Sequence, residues 1–72
     1  MKNIFLSVVI PCYNEEKNIR LGALRNVAYF LSKQKYNWEV NIVDDGSNDD
    51  SVILIQKFIK DQKNFTLIRK SH

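Results

Sequence analysis

The fold is decided by two stretches of sequence, SVVIPCYNEE at positions 7–16 and VNIVDDGS at positions 40–47. In each stretch, an apolar segment typical of a buried strand stops abruptly at polar residues and the start of a helix. In open α/β sheets, ligands bind in the crevice beyond the carboxyl ends of the parallel strands. Two such strand ends in one small unit therefore predict a single composite binding site.

Length and composition indicate one globular domain, residues 1–72, with little irregular structure. The chain has 72 residues, of which 44% are hydrophobic and 26% are charged, and this balance argues against disorder. It contains only two glycines and one proline, so most of it is expected in helices and strands.

Charge, cysteine content and hydropathy argue against a nucleic-acid binder, a secreted protein and a membrane-spanning chain. The net charge is only +3, and the basic residues are scattered rather than gathered into the basic face of a nucleic-acid binder. A single cysteine cannot form an internal disulfide, so nothing indicates secretion. No stretch approaches the roughly 18 apolar residues of a membrane span. We therefore expect a cytoplasmic chain that does not bind nucleic acid.

Hydrophobic periodicity predicts the order β-α-β-α-β. Strands are predicted at Ile4–Ile10, where the strand is buried on both faces and ended by Pro11, at Val40–Val43 and at Phe65–Ile68. Helices are predicted at about 15–34 and 50–62. Parallel pairing is the default for this order, and it places both motifs at the same edge of the sheet.

The predicted helix starts carry typical capping residues. Asn14 is expected to cap the first helix, and Ser47 with Asp50 resembles a capping box for the second. Gly22 is expected to weaken the first helix only slightly.

Asp44 and Asp45 are the most informative polar pair. Because side chains alternate along a strand, one carboxylate is expected to face the crevice and the other to lean towards the loop or helix. An ionised carboxylate accepts hydrogen bonds, so Asp45 suits the ring N–H of uracil or guanine. The alternative is that both are turn residues before Gly46. Two carboxylates on one loop are too few to predict a metal site.

Tyr13 and Glu15 are the candidates on the first loop. Tyr13 either lines a pocket for a planar base or packs on a neighbouring helix. Glu15 suits both interaction with the helix dipole and hydrogen bonds from ribose hydroxyls. Glu15 and Glu16 would repel phosphate, and no glycine-rich phosphate loop is present. If the ligand is a nucleotide, its diphosphate group is therefore expected to bind elsewhere. Cys12 is expected to be a small buried residue.

Together, the two motifs resemble the start of a family 2 glycosyltransferase with the GT-A fold. The third strand, Phe65-Thr66-Leu67-Ile68-Arg69, also matches that family. Within that family, the sequence resembles the polyprenyl-phosphate sugar transferases, such as dolichol-phosphate mannosyltransferase and its bacterial relatives. The resemblance implies a fold of the α/β class, a β-α-β-α-β three-layer unit with a parallel sheet, which is the N-terminal nucleotide-binding half of a Rossmann-like GT-A fold.

The resemblance also implies a function and a site. The parent enzyme would transfer a sugar from a UDP- or GDP-sugar to an acceptor such as a polyprenyl phosphate, in cell envelope glycan biosynthesis at the cytoplasmic face of a membrane. Pro11, Tyr13 and Glu15 would surround the base and ribose, while Asp45 would read the base with Asp44 beside it. No catalytic residue is assigned within this chain.

This sequence departs from the family in its length. Family members carry, beyond the third strand, a glycine-and-lysine segment and then an Asp-x-Asp motif that holds Mg²⁺ or Mn²⁺. Neither is present here, so we expect a fragment that has no metal ligands and is inactive alone. An exposed sheet edge or helix face would then favour self-association.

Two other readings of the sequence stay open. The first is a non-catalytic nucleotide-binding module that keeps the crevice without the chemistry. The second is a flavodoxin-like or receiver-type α/β domain, in which acids at the strand ends bind Mg²⁺.

Overall fold

The computed structural model describes residues 4–71, which form one parallel sheet and three helices. In chain order, the elements are β1 (Leu6–Cys12), α1 (Glu16–Arg20), α2 (Ala23–Ser32), β2 (Trp38–Asp45), α3 (Ser51–Ile59) and β3 (Phe65–Lys70). The strand order is β1-β2-β3, and both pairings are parallel. The predicted parallel β-α-β-α-β unit is confirmed, while residues 1–3 and 72 of the predicted domain lie outside the described residues.

The core lies on one face of the sheet. On β2, Val40 and Ile42 are almost completely buried, and their partners in the register are Val8 and Ile10 on β1. Both long helices contribute to the same cluster, whose buried members are Cys12, Leu24, Leu31, Val40, Ile42, Ile55 and Phe65. The helices therefore cover one face, and the described residues supply two of the three expected layers.

The opposite face of the sheet is open. Val9 on β1 is 63% exposed and Ile68 on β3 is 43% exposed. The prediction that the first strand is buried on both faces is therefore wrong, because both helical connections pack on the other face. The prediction that Pro11 ends this strand is also wrong. The strand continues to Cys12, because β1 lies at the edge of the described sheet, where a proline is tolerated within a strand.

The predicted first helix is two helices. α1 ends at Arg20 and α2 begins at Ala23, because Gly22 adopts a left-handed conformation with φ +100°. The Gly22 N–H donates to the Ile19 carbonyl oxygen at 3.0 Å, which closes the turn.

The remaining elements differ from prediction at their ends. α3 spans 51–59 rather than 50–62, and the Gln62 N–H turns back to the Ile59 carbonyl oxygen at 2.9 Å. β2 and β3 are longer than predicted, and this extra length carries Asp44 and Asp45 inside β2.

Candidate functional site

The ends of β1 and β2 lie side by side at one edge of the sheet. Cys12 is opposite Asp44 in the register, and Asp45 is opposite Lys70 of β3. Tyr13 follows β1 immediately and Asp45 is the last residue of β2, so both belong to the same edge. The loops that follow these strands, residues 13–15 and 46–50, are joined by the hydrogen bonds described below.

Asp44 and Asp45 point to opposite faces, as the strand alternation predicts. Asp44 is 1% exposed on the side of the helices, whereas Asp45 is exposed on the open side. One Asp44 carboxylate oxygen accepts the Ser47 N–H at 3.1 Å, and the other accepts the Ser47 hydroxyl. Asp44 thus holds the turn around Gly46, whose φ is +77°. Of these two neighbours, Asp45 is the one whose carboxylate is accessible.

Cys12 is buried beside Asp44, as expected from its residue type. Its exposed fraction is 5%. Burial raises the pKa of the thiol, and the negative charge of Asp44 raises it further. The thiol therefore stays protonated at neutral pH, which is unsuitable for a nucleophile.

Asn14 joins the two loops through reciprocal hydrogen bonds. Its backbone N–H donates to Ser47 Oγ at 2.9 Å, and its side-chain Oδ1 accepts the Asn48 N–H at 2.7 Å. Asn14 has a positive φ of 53°, a conformation that asparagine tolerates better than most residues. The prediction that Asn14 caps α1 is wrong: Glu15 occupies the N-cap position, because the Asn14 side chain is directed to the other loop.

The starts of α1 and α3 cap each other. The Glu15 N–H donates to Ser51 Oγ at 2.9 Å, and the Glu16 N–H donates to Asp49 Oδ2 at 3.3 Å. In return, Glu16 Oε1 accepts the Asp50 N–H at 3.2 Å. Each helix start therefore receives at least one hydrogen bond from a side chain at the start of the other.

The predicted capping box of Ser47 and Asp50 is wrong for the same reason. The Ser47 hydroxyl donates to Asp44 and accepts from Asn14, so it does not cap α3. The Ser51 N–H is instead accepted by Asp49 Oδ1 at 2.9 Å.

Arg20 adds charge complementarity to this arrangement. Its guanidinium lies 2.9 Å from the Glu16 carboxylate and 3.7 Å from that of Asp50. Because these side chains are substantially exposed, the pairs contribute little stability.

The mutual capping determines which ligand chemistry suits these helix starts. A helix N-terminus binds phosphate through free backbone N–H groups. Here the N–H groups of Glu15, Glu16, Asp50 and Ser51 already donate to side chains. The acceptor groups gathered around them suit a ligand that donates hydrogen bonds, such as a base or a ribose, better than an anion.

The predicted site residues do not all border the same cavity. Tyr13 is 42% exposed, and Pro11 is exposed on the open side of β1. Glu15 is partly buried, and its Oε1 accepts Asn18 Nδ2 at 2.7 Å. Pro11 and Glu15 also border a mostly apolar cavity of about 430 Å³ between β1 and the first two helices, whereas Tyr13, Asp44 and Asp45 do not.

The described residues form neither a metal-binding cluster nor a membrane-spanning helix. Across residues 4–71, no three or more His, Cys, Asp or Glu side chains are grouped so that they would hold a metal ion. This part of the chain therefore does not fit the Mg²⁺ or Mn²⁺ site that the family resemblance implies for the parent enzyme. Among the same residues, no helix combines the length and apolar character that crossing a bilayer demands.

The roles of Asp49 and Ser51 were not predicted from the sequence. The signal was the dense run Ser47-Asn48-Asp49-Asp50-Ser51, whose residue types all favour side-chain bonds to backbone N–H groups. Their partners lie 33 to 36 residues away in sequence, so only the fold brings them together.

The chain is similar in sequence to known sugar transferases. The chain is 43% identical over 61 residues to the dolichyl-phosphate beta-glucosyltransferase of Saccharomyces cerevisiae, an alignment covering 85% of this chain and 18% of that protein. It is 40% identical over 52 residues to the undecaprenyl-phosphate 4-deoxy-4-formamido-L-arabinose transferase of Pseudomonas fluorescens, covering 72% of this chain and 15% of that protein. The chain thus spans about a fifth or less of the length of these curated relatives.

A solved structure shows the same fold. The crystal structure of S. aureus TarS 1-349 superposes with a TM-score of 0.64 at 30% sequence identity, covering 97% of this chain and 19% of that one. The fold class expected from the resemblance is confirmed, as is the likeness to polyprenyl-phosphate sugar transferases. The sequence model of glycosyl transferase family 2 matches residues 7–72, and the chain belongs to that family.

Proposed function

We propose that this chain binds the nucleoside part of a UDP- or GDP-sugar at the edge where β1 and β2 end. The observation that carries the proposal is the pair of cross-linked loops, which hold Tyr13 and Asp45 at one edge of the sheet. Family membership supports the same conclusion.

Each proposed contact follows from the chemistry of the side chain. The exposed Asp45 carboxylate accepts the ring N–H of uracil or guanine. Tyr13 packs against the base, with Pro11 beside it. Glu15 accepts from the ribose hydroxyls. Asp44 is buried and bonded to Ser47, so it supports the loop from behind rather than contacting the ligand.

We further propose that the parent protein transfers the sugar to a polyprenyl phosphate. Relatives are named for dolichyl phosphate and undecaprenyl phosphate, which are lipid acceptors of this class. Such an acceptor would place the reaction at a membrane surface, on the cytoplasmic face. The 72-residue chain alone is not expected to catalyse transfer, because its described residues offer no ligand set for the implied metal ion.

The receiver-type alternative receives less support from the geometry. It requires acids at the strand ends that converge on one cation. Asp44 and Asp45 point to opposite faces, and both Asp44 oxygens accept hydrogen bonds from Ser47.

Titration calorimetry with UDP and GDP tests the proposed contacts. Removing a charged hydrogen-bond acceptor commonly weakens binding about tenfold or more. Asp45→Ala should therefore lower the affinity for the tighter-binding of the two nucleotides by at least that factor. Asp61→Ala is the matched control, since Asp61 is an exposed acid in the turn between α3 and β3, at the other edge of the sheet. Equal affinity in all three proteins would contradict the role of Asp45, and no binding to the unmodified chain would overturn the proposed function.

A further inference from the structure

We propose that Ser47 and Asn14 form a clamp, here called the strand-end clamp, that sets the spacing between Tyr13 and Asp45 and so positions them for a nucleoside. This inference rests on the proposed function and adds two positioning residues to it. Neither residue is assigned a contact with the ligand.

Ser47 is the centre of the clamp because it bonds both to the end of β2 and to the loop after β1. A hydroxyl has one donor and two acceptor positions. The Ser47 donor goes to buried Asp44, and one acceptor position takes the Asn14 N–H at 2.9 Å. The Ser47 backbone N–H also donates to Asp44 at 3.1 Å. The loop after β1 is thereby tied to a group fixed inside the end of β2.

Asn14 supplies the second arm. Its Oδ1 accepts the Asn48 N–H at 2.7 Å, so two bonds running in opposite directions close a ring between residue 14 and residues 47–48. Tyr13 precedes Asn14 directly and Glu15 follows it. Any change in the separation of the loops at Asn14 therefore moves the two proposed ligand contacts on that loop.

One end of the clamp is anchored in the protein interior. Asp44, which anchors it, is 1% exposed and lies on the face covered by the helices. Loops that are already ordered lose less conformational entropy on binding, which increases affinity without any new contact. The clamp should accordingly act on affinity through the positions of Tyr13 and Asp45.

The test is titration calorimetry with UDP and GDP on the 72-residue chain and its Ser47 variants. Ser47→Ala should weaken binding about tenfold, which is the size of effect expected from the loss of roughly one hydrogen bond. Ser47→Thr keeps the hydroxyl and should stay within about twofold of the unmodified chain. A purely structural serine would lower the denaturation midpoint of the Ala variant without changing the affinity of the folded molecules.

Ser7→Ala is the matched control. The Ser7 hydroxyl also links the first two strands, by donating to the Glu39 carboxylate, but it lies five residues before Cys12. At the rise of a strand, this places it about 16 Å from Cys12, and the clamp lies beyond Cys12. Its removal should leave nucleotide affinity unchanged.

Asn14→Gly keeps the test decisive if Ser47→Ala does not fold. Glycine accepts the positive φ at this position, so the backbone is retained while the bond to Asn48 is lost. Unchanged affinity in the folded variants, with binding by the unmodified chain intact, overturns the positioning role alone. Failure of the unmodified chain to bind UDP and GDP overturns the proposed function and the positioning role together.

Discussion

Asp44 and Asp45 are neighbours in sequence with different surroundings. Strand alternation turns Asp44 towards the helices and Asp45 towards the open face of the sheet. The sequence was sufficient to predict this divergence and to favour Asp45 as the accessible acid. It did not show that Ser47 would engage both Asp44 oxygens, because that depends on the turn around Gly46.

The mutual capping of the two helices was not predictable from local sequence. Capping rules consider residues three positions apart, whereas Glu15 and Glu16 are capped from 33 to 36 positions away. Asn14 and Ser47 are good capping residues by type, and both were predicted to cap their own helices. The parallel register brought the other loop closer, so each bonds across the gap instead.

Asp49 should make stability depend on pH in the acidic range. The Ser51 hydroxyl, followed by the backbone N–H groups of Ser51 and Glu16, holds the pKa of the Asp49 carboxyl below its ordinary value of 3.8. A depressed pKa contributes stability above the unfolded value, and that contribution is lost as the pH falls through the folded pKa. The stability advantage of the unmodified chain over Asp49→Asn should therefore shrink below about pH 4.

Urea denaturation at a series of pH values measures this advantage. The two denaturation midpoints should be separated at pH 7 and should converge on acidification. A separation that stays constant down to pH 2.5 would contradict the assigned hydrogen bonds of Asp49.

At the scale of elements, glycine and proline had effects that depend on tertiary position. Gly22 was expected to weaken one long helix, yet its left-handed conformation ends α1 and starts α2. Pro11 was expected to end a strand, yet β1 passes through it because the strand lies at the edge of the sheet. The apolar runs were sufficient to predict the three strands. Which strand residues are exposed depends on the face of the sheet that the helices cover, and the apolar runs do not specify that face.

Gly22→Ala distinguishes the broken helix from a continuous one. With φ at +100°, an alanine at this position is strained and should lower the free energy of unfolding by about 1–2 kcal/mol. In a continuous helix, the same substitution would stabilise by roughly 1 kcal/mol. Chemical denaturation gives the sign directly.

Gly22→Asn is the control for this substitution. Asparagine adopts positive φ more readily than alanine, so it should cost less stability. A Gly22→Ala variant as stable as the original chain, or more so, would show that the break between α1 and α2 is wrongly placed.

At the scale of the whole molecule, the open face of the sheet should promote self-association. Val9 and Ile68 are exposed there, with Pro11 and Val43 on the same face. We propose that a second copy covers this face at high concentration. Sedimentation velocity from micromolar to millimolar chain should show a rising average mass, and Ile68→Lys should weaken the association about tenfold.

Ile53→Lys is the matched control for association. Ile53 is 52% exposed on α3, away from the open face, so its replacement should leave the association constant unchanged. A monomer at every concentration would contradict the proposal, and a larger effect of Ile53→Lys would assign the contact to a helix face.

We propose that the isolated chain has no transferase activity. Across residues 4–71, no cluster of acids, histidine or cysteine fits the metal ion that the family resemblance implies. Incubation with a UDP- or GDP-sugar, Mn²⁺ and a polyprenyl phosphate should yield no glycosylated lipid. The dolichyl-phosphate beta-glucosyltransferase of Saccharomyces cerevisiae, assayed alongside with its own substrates, is the positive control. Measurable turnover by this chain would contradict the prediction.

The most direct test of the central claim is an NMR titration of the ¹⁵N-labelled chain with UDP and GDP. If the ends of β1 and β2 form one nucleoside pocket, amide signals of residues 12–15 and 44–47 should shift together and give the same dissociation constant. Shifts confined to one of the two loops, or two loops that saturate at different ligand concentrations, would contradict a single pocket.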